Sequence, residues 1–430
     1  MYSDQTNKIT KRAFFIVTLG ALFYFYEYYL RISPSVMKQD WVNAFDLNAT
    51  RFGTLSAFYY YAYVPMQLVV GILIDRFKMR HVLTFAIFCC VVGSVMIAST
   101  SLYSVAATGR LLQGVGSAFA FVSALKLAAT WLPAERFGFF SCSCAALGFL
   151  GAAVGEISLA QAVSTIGWRA AIFTFSAFGV ILMLVVWFAI KTDTPPKNHP
   201  NKHHTHKHHN LSFKELLKQL VSIAKTPYIW LAGIISSLMY LPTTAFAELW
   251  GIPYLEKFHH YSPHSASIAS AMIFIGWGVG APLQGWLSDY FQNRVKVMLV
   301  GCIIGAFIST IVLFDANLSY NYVCLLLMLF GFASSVQVLA FAMVKDVVSN
   351  KIIGTAIAFV NALTMVTGMF MQSGIGQLLD WNWQGIIKDN HRFYTLVNYQ
   401  KAILIIPVCL VISSAIIYLV RNKRPEVLEL

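Results

Sequence analysis

The sequence predicts an all-α membrane protein of twelve transmembrane helices arranged as two pseudo-symmetric six-helix bundles. Three observations predict it: an apolar composition, twelve long apolar runs, and a motif that recurs at a fixed distance in the two halves. Of 430 residues, 58% are hydrophobic and 11% charged, whereas soluble domains are about 45–50% apolar and about a quarter charged. Lipid is therefore the main solvent. The runs cover approximately residues 13–36, 52–74, 81–100, 104–130, 138–162, 169–190, 227–251, 264–288, 295–314, 321–345, 354–379 and 397–420. Each is near the length of about 20 residues that carries a helix across a hydrocarbon core of about 30 Å. The runs are continuous rather than alternating, which excludes a barrel and leaves the helix as the way to satisfy the backbone in lipid.

The first run reads as a membrane span. It is too long for a cleaved signal, carries Glu27 and Arg31, and ends in Ser33-Pro34-Ser35-Val36 without a small-x-small cleavage pattern. The net charge of +13 has a topological explanation: of the 31 basic residues, 21 lie in segments on the N-terminal side of the membrane and seven on the opposite side. That bias places both termini in the cytoplasm of a multi-pass bacterial inner-membrane protein and argues against a nucleic-acid partner. All seven cysteines fall inside runs, where they serve as small apolar residues, so neither a disulfide framework nor a zinc site is expected.

Six runs precede a polar stretch and six follow it. The expected organisation is an N-terminal bundle over 1–190, a linker over 191–225 and a C-terminal bundle over 226–430. Between Asn198 and His209 the linker holds six of the eleven histidines, a composition that suits either a hydrated bridge or a loop that captures a transition metal. Shifting the sequence by 214 residues lays Gly71-x-Leu73-x-Asp75 on Gly285-x-Leu287-x-Asp289 and Arg80 on Arg294, the mark of an internal duplication.

Gly71-Ile72-Leu73-Ile74-Asp75-Arg76-Phe77-Lys78-Met79-Arg80 resembles the loop signature G-x-L-x-D-R-x-G-R-[KR] of the major facilitator superfamily, departing from it at Lys78 and Met79. Arg110-x-x-Gln113-Gly114-x-Gly116 matches that family's fourth-span signature in full, and Trp131-Leu132-Pro133-x-Glu135-Arg136 and Gly167-Trp168-Arg169 are similar to its later loops. The overall pattern also resembles amino-acid and nucleoside importers of intracellular bacteria and, more distantly, lysosomal dipeptide transporters of the superfamily. The resemblance implies a monomer whose two bundles rock about a site near the bilayer midplane, lined by spans 1, 4, 7 and 10. It also makes Gly71, Asp75, Arg76, Arg80, Gly285, Asp289 and Arg294 gating candidates, with Asp75 docking on the N-terminus of span 11.

Charges at membrane depth are costly and require a partner or a wet cavity. Glu27 and Arg31, at i and i+4, share one face of span 1. Arg110 on span 4 and Glu156 on span 5 fall about 10 Å outward of their midpoints, as does Arg31 on span 1, so Glu27, Arg31, Arg110 and Glu156 are expected to form one polar cluster. Lys126 is either a solute contact or a side chain reaching for the interface. Glu248 is either a second-half carboxylate for binding or gating, or a hydrated interfacial residue. Helical spacing selects Tyr24, Tyr28, Tyr59 and Tyr63 from two tyrosine-rich stretches as solute contacts; Gln337 and Asn361 are the neutral polar candidates of the second half.

No P-loop, HExxH or nucleophile triad is present, so neither an enzyme nor a cofactor or catalytic metal is expected. The leading expectation is transport of a small zwitterion such as an amino acid or short peptide, with Glu27 meeting its ammonium and Arg31 its carboxylate. Proton coupling would run through Glu27 or Glu156. The alternatives are an organic anion, held by Arg31, Arg110 and Lys126, and a non-transporting receptor or scaffold that senses metal through its histidine-rich loop.

Overall fold

The computed structural model describes residues 11–191, 213–345, 347–348, 352–388 and 390–421, with the side chains of Asp75 and a few other helical residues outside that description. The histidine-rich stretch lies outside the described residues. Among the described residues, twelve helices are long and apolar enough to cross a membrane. Spans 1 to 6 are Lys11–Val36, Ala49–Ile74, Met79–Ser99, Tyr103–Trp131, Ser143–Ile166 and Trp168–Ala189; spans 7 to 12 are Pro227–Phe258, Pro263–Tyr290, Arg294–Phe314, Tyr320–Lys345, Ile353–Trp381 and Leu396–Leu419. The side on which span 1 begins and span 6 ends is called the linker side, and the opposite one the far side.

Spans 1 to 6 pack on one another, as do spans 7 to 12. The bundles meet along two principal seams, span 2 against span 11 and span 5 against span 8, while span 1 lies against the middle of span 7. Three of the spans expected to line the centre are interrupted. Span 4 breaks between the helices Tyr103–Ser117 and Ala120–Trp131, span 7 passes through a π-helical segment Pro242–Trp250, and span 10 through a 3₁₀ turn Ser335–Val338. Pro242 opens the π segment, where its ring prevents a regular α-helical register. These breaks turn Glu248 and Gln337 into the middle of the molecule.

The fourth-span signature is a packing knot. Pro34 has no N–H to give the carbonyl of Leu30 one turn earlier; the Arg110 guanidinium (3.0 Å) and the Ser33 hydroxyl (2.9 Å) donate to that carbonyl instead. Arg110 also donates to Gln113 (2.8 Å) and to the Ser56 carbonyl (3.3 Å), tying spans 1, 2 and 4 together. Gly114 belongs to the same knot, because a Cβ there would overlap the Tyr59 carbonyl of span 2. Overpacking costs about 1–3 kcal/mol, so Gly114→Ala is expected to lower the melting temperature of the detergent-solubilised protein by several degrees. Gly71→Ala, at a site where a Cβ meets nothing within 4 Å, is expected to leave it unchanged; thermal unfolding of the two variants side by side checks both.

Some elements differ from the sequence expectation. Residues Phe213–Ala224, assigned to the polar linker, form a helix whose Ile223 is fully buried while Leu217 and Val221 are exposed, the habit of a helix lying in the membrane interface. Its Gln219 accepts a hydrogen bond from Thr355 at the start of span 11 (2.8 Å). Span 7 runs on to Phe258 past the expected end at 251, because Tyr254, Leu255 and Phe258 are buried. On the far side a short helix, Lys38–Phe45, follows span 1, and a two-residue hairpin pairs Ile387–Lys388 with His391–Arg392.

Candidate functional site

Between the bundles lies a cavity of about 1470 Å³. Its mouth is on the linker side, where Leu73, Arg76 and Phe77 at the end of span 2 face Gly354 and Thr355 at the start of span 11 and Leu220 of the interfacial helix. Its inner wall holds Tyr24, Tyr28 and Arg31 of span 1, Tyr63 and Gln67 of span 2, Tyr240, Trp277, Gln337 and Asn361. The molecule is therefore open on the linker side.

Arg31 is the centre of the inner wall. Its Nε and Nη2 donate to one oxygen of Glu27, at 2.9 and 2.5 Å, as the i, i+4 spacing requires. Tyr59 donates to the same oxygen. The guanidinium is boxed by aromatic faces, with ring centres of Tyr28 at 4.6 Å and Tyr63 at 5.1 Å, an arrangement that stabilises a desolvated cation. Nη1 is 3.9 Å from Glu248 of span 7, which accepts a hydrogen bond from Tyr60 of span 2. Arg31, Glu248 and Tyr60 thus join the two bundles at the roof of the cavity. Glu27 and Glu248 are both completely buried, and neither reaches the cavity surface.

Of the expected solute contacts, Tyr24, Tyr28, Arg31, Tyr63, Gln337 and Asn361 line the cavity. The hydroxyls of Tyr24 and Tyr28 are 3.4 Å apart, Gln337 donates to Ser236 (2.6 Å), and Asn361 donates across the span 2 to span 11 seam to Gln67 (3.4 Å). Tyr59 stands behind the wall, fully buried and stacked on Tyr63. Lys126 is half-buried and away from the cavity surface, which its neighbour Leu125 lines.

The expected four-residue cluster divides into separate sites. Arg110 is engaged in the knot of spans 1, 2 and 4, and Glu156 faces the other bundle, where Ser270 of span 8 donates to it at 3.2 Å. Glu156 is fully buried and makes no ion pair among the described residues. Equal depth along their helices suggests a common layer, but the two side chains leave their helices in different directions. The hydration weighed for Glu248 gives way to complete burial, because the π segment rotates the residue inward.

Among the gating candidates, Gly71 and Arg76 line the cavity mouth, and the side chain of Asp75 lies outside the described residues. Arg80 lies over the Trp187 ring at 3.7 Å, Arg294 donates to the Ala342 carbonyl at 2.9 Å, Asp289 is exposed, and a Cβ on Gly285 would meet nothing within 4 Å. Sequence reasoning missed Tyr60, Gln67, Tyr240 and Trp277. The i, i+4 spacing pairs Tyr59 with Tyr63 and leaves Tyr60 aside; spacing identifies a shared face but not which neighbour that face meets.

The family described as Major Facilitator Superfamily matches residues 16–254 and 249–428. The chain is 22% identical over 85% of its length to a probable sulfoacetate transporter, SauU, of Cupriavidus necator, covering 87% of that protein. It is 20% identical over 92% of its length to a probable galactarate/D-glucarate transporter, GudP, of Escherichia coli, covering 94% of it. In structure it is similar to a bacterial homologue of the human lysosomal transporter Spinster in its inward-facing, unoccupied conformation, with a TM-score of 0.77 and 15% identity, covering 96% of this chain and 98% of that one.

Proposed function

The chain belongs to the major facilitator superfamily, and from that premise we propose that it carries a small organic anion across a bacterial inner membrane by alternating access of its two bundles. The observation that carries this reading is the charge on the cavity wall. Among the described lining side chains the charged ones are Arg31 and Arg76, while Glu27 and Glu248 stand behind the surface. A carboxylate, sulfonate or phosphate entering from the mouth meets a guanidinium flanked by the rings of Tyr28 and Tyr63, and charge-assisted hydrogen bonds from such a group are the strong ones. A zwitterion requires a carboxylate on the same wall, and Glu27 is already engaged by Arg31 and Tyr59. The anionic solutes named for SauU and GudP agree with this chemistry.

The linker side is assigned to the cytoplasm from the distribution of basic residues, with both termini there. The functional unit is a monomer of two bundles, 1–190 and 226–430, joined by the segment 191–225. Glu156 is the group through which a proton would be coupled, since it spans the seam between spans 5 and 8 with Ser270 as its partner. The test is uptake into proteoliposomes of labelled sulfoacetate, glucarate, a hexose phosphate, amino acids, a dipeptide and a nucleoside, with and without an imposed pH gradient. Saturable uptake of at least one anion, and of no zwitterion, is expected. Uptake confined to zwitterions overturns the anion reading, and binding without uptake makes the protein a receptor.

A further inference from the structure

The far end of span 11 reads Gly376-Gln377-Leu378-Leu379-Asp380, a third instance of the G-x-L-x-D pattern found at Gly71–Asp75 and Gly285–Asp289. The first two end spans 2 and 8 on the linker side; this one is on the far side, facing the start of span 2. A Cβ on Gly376 would overlap the carbonyl oxygen of Ala49, so the glycine is what allows the first turn of span 2 to lie against span 11. One turn later, Asp380 Oδ2 accepts the Thr50 N–H at 2.9 Å and the Thr50 hydroxyl at 2.5 Å. Its other oxygen holds Arg392 at 3.0 Å and the Tyr394 hydroxyl at 2.5 Å, and that hydroxyl also accepts the Ala49 N–H at 3.0 Å.

A helix begins with N–H groups that have no partner within the helix. In span 2 the cap Asn48 satisfies Arg51 at 2.8 Å, but the N–H groups of Ala49 and Thr50 are satisfied by the opposite bundle. A carboxylate at this end of the helix is also favoured by the helix dipole. The state of the other two copies completes the pattern. A Cβ on Gly71 or Gly285 would meet nothing within 4 Å, so on the open side the glycines of the motif have no neighbour against them, while on the closed side Gly376 lies against Ala49.

We propose that Gly376 and Asp380 form a far-side latch, a duplicate of the linker-side motif in reversed orientation, which holds the linker-side-open state and must release Thr50 for the far side to open. The motif is not repeated at the other seam. Shifting by 214 residues places Ala162 and Ile166 at the matching positions of span 5, and the facing start of span 8 is capped by its own Ser262, which accepts the Ser265 N–H at 3.2 Å. Opening on the far side therefore requires release at the seam of spans 2 and 11, along with the neighbouring ties of Lys38 to Tyr399 and of Asp46 to His391. This inference rests on alternating access but not on the nature of the solute, and Gly376 and Asp380 act as positioning residues.

The test is electron–electron distance measurement on the full chain in nanodiscs without solute, in a background whose seven cysteines are replaced by alanine. One spin-label pair, on Leu102 and Ala316, reports the far side; a second, on Lys78 and Gln292, reports the linker side. Thr50→Val, which removes only the hydroxyl donor, is expected to raise the far-side-open population about five-fold, the worth of one net hydrogen bond; Asp380→Asn and Gly376→Ala, which disturb the whole contact, are expected to raise it at least as much. The short-distance, linker-side-closed population should rise in the same proportion, which a general loosening of the fold would not produce. If Asp380→Asn does not fold, Thr50→Val decides. An unchanged far-side distribution in the folded variants, or broadening at both pairs together, overturns the latch while leaving the anion reading to its own test.

Discussion

Arg31→Gln is expected to abolish anion binding, whereas Glu27→Gln is expected to retain or strengthen it. The two side chains form one ion pair, with Nη2 to carboxylate at 2.5 Å, yet their positions are not equivalent. Arg31 is on the cavity wall and Glu27 is behind it. An anion in the cavity shares the guanidinium with Glu27, so neutralising Glu27 removes a competitor, while neutralising Arg31 leaves two buried carboxylates, Glu27 and Glu248, to repel the solute. Close charge pairs at dry interfaces couple by about 1.5–7 kcal/mol, so the loss at Arg31 is expected to be at least about ten-fold in Kd. Arg31→Lys keeps the charge without the planar fork and falls between. Breaking a buried pair also costs about 3–5 kcal/mol of stability, so the double variant Glu27→Gln/Arg31→Gln, which restores neutrality, is the comparator that separates lost binding from lost fold. Calorimetric titration with sulfoacetate and glucarate checks the set. Equal loss of anion binding in the Glu27 and Arg31 single variants would place Glu27 in the site and revive the zwitterion reading.

Much of this architecture is written in composition and spacing. The spans are legible because lipid admits few solutions for a continuous apolar run, and the Glu27–Arg31 contact because residues four apart on a helix share a face. What spacing does not encode is direction between helices. Depth along the axis put Arg110, Glu156 and Arg31 in one layer, but depth is one coordinate of three; Arg110 turns to the carbonyl that Pro34 leaves free, and Glu156 to Ser270. Helix breaks were equally illegible. Pro242 marks where the regular α-helix of span 7 gives way, but the packing of the π segment against span 1, which buries Glu248, is a tertiary condition absent from the local pattern. The interfacial helix Phe213–Ala224 carried its amphipathic signal in the open, and it was masked by the polar residues that precede it.

Arg110 tests the division of the cluster most directly, because Arg110→Lys conserves the charge and is expected nonetheless to cost most of the folded yield. Arg110 is 1% exposed and serves three acceptors on three helices: the Leu30 carbonyl, the Ser56 carbonyl and Gln113. Gln113 passes the network on to Ser94 of span 3 at 2.8 Å. A lysine ammonium on a flexible stem cannot reproduce this fixed fork, and each buried acceptor left without a donor costs about 1–3 kcal/mol. The Leu30 carbonyl is the most exacting of them, since Pro34 offers it no N–H. Ser33 keeps one bond to that oxygen and the Ser56 carbonyl lies within the span 2 helix, where the Tyr60 N–H serves it, so the loss is concentrated on Gln113 and on the joint between spans 1 and 2. The expected signature is a fall in melting temperature and in monodisperse yield, with unchanged affinity for anions in whatever protein folds. Arg31→Lys should show the opposite signature, a weakened Kd at near-normal stability. Size-exclusion recovery, thermal unfolding and titration on the same preparations separate the two. Were Arg110→Lys to fold normally and lose anion binding, Arg110 would belong to the solute site, and the assignment of the cavity's positive charge to Arg31 would need to be redrawn around both arginines.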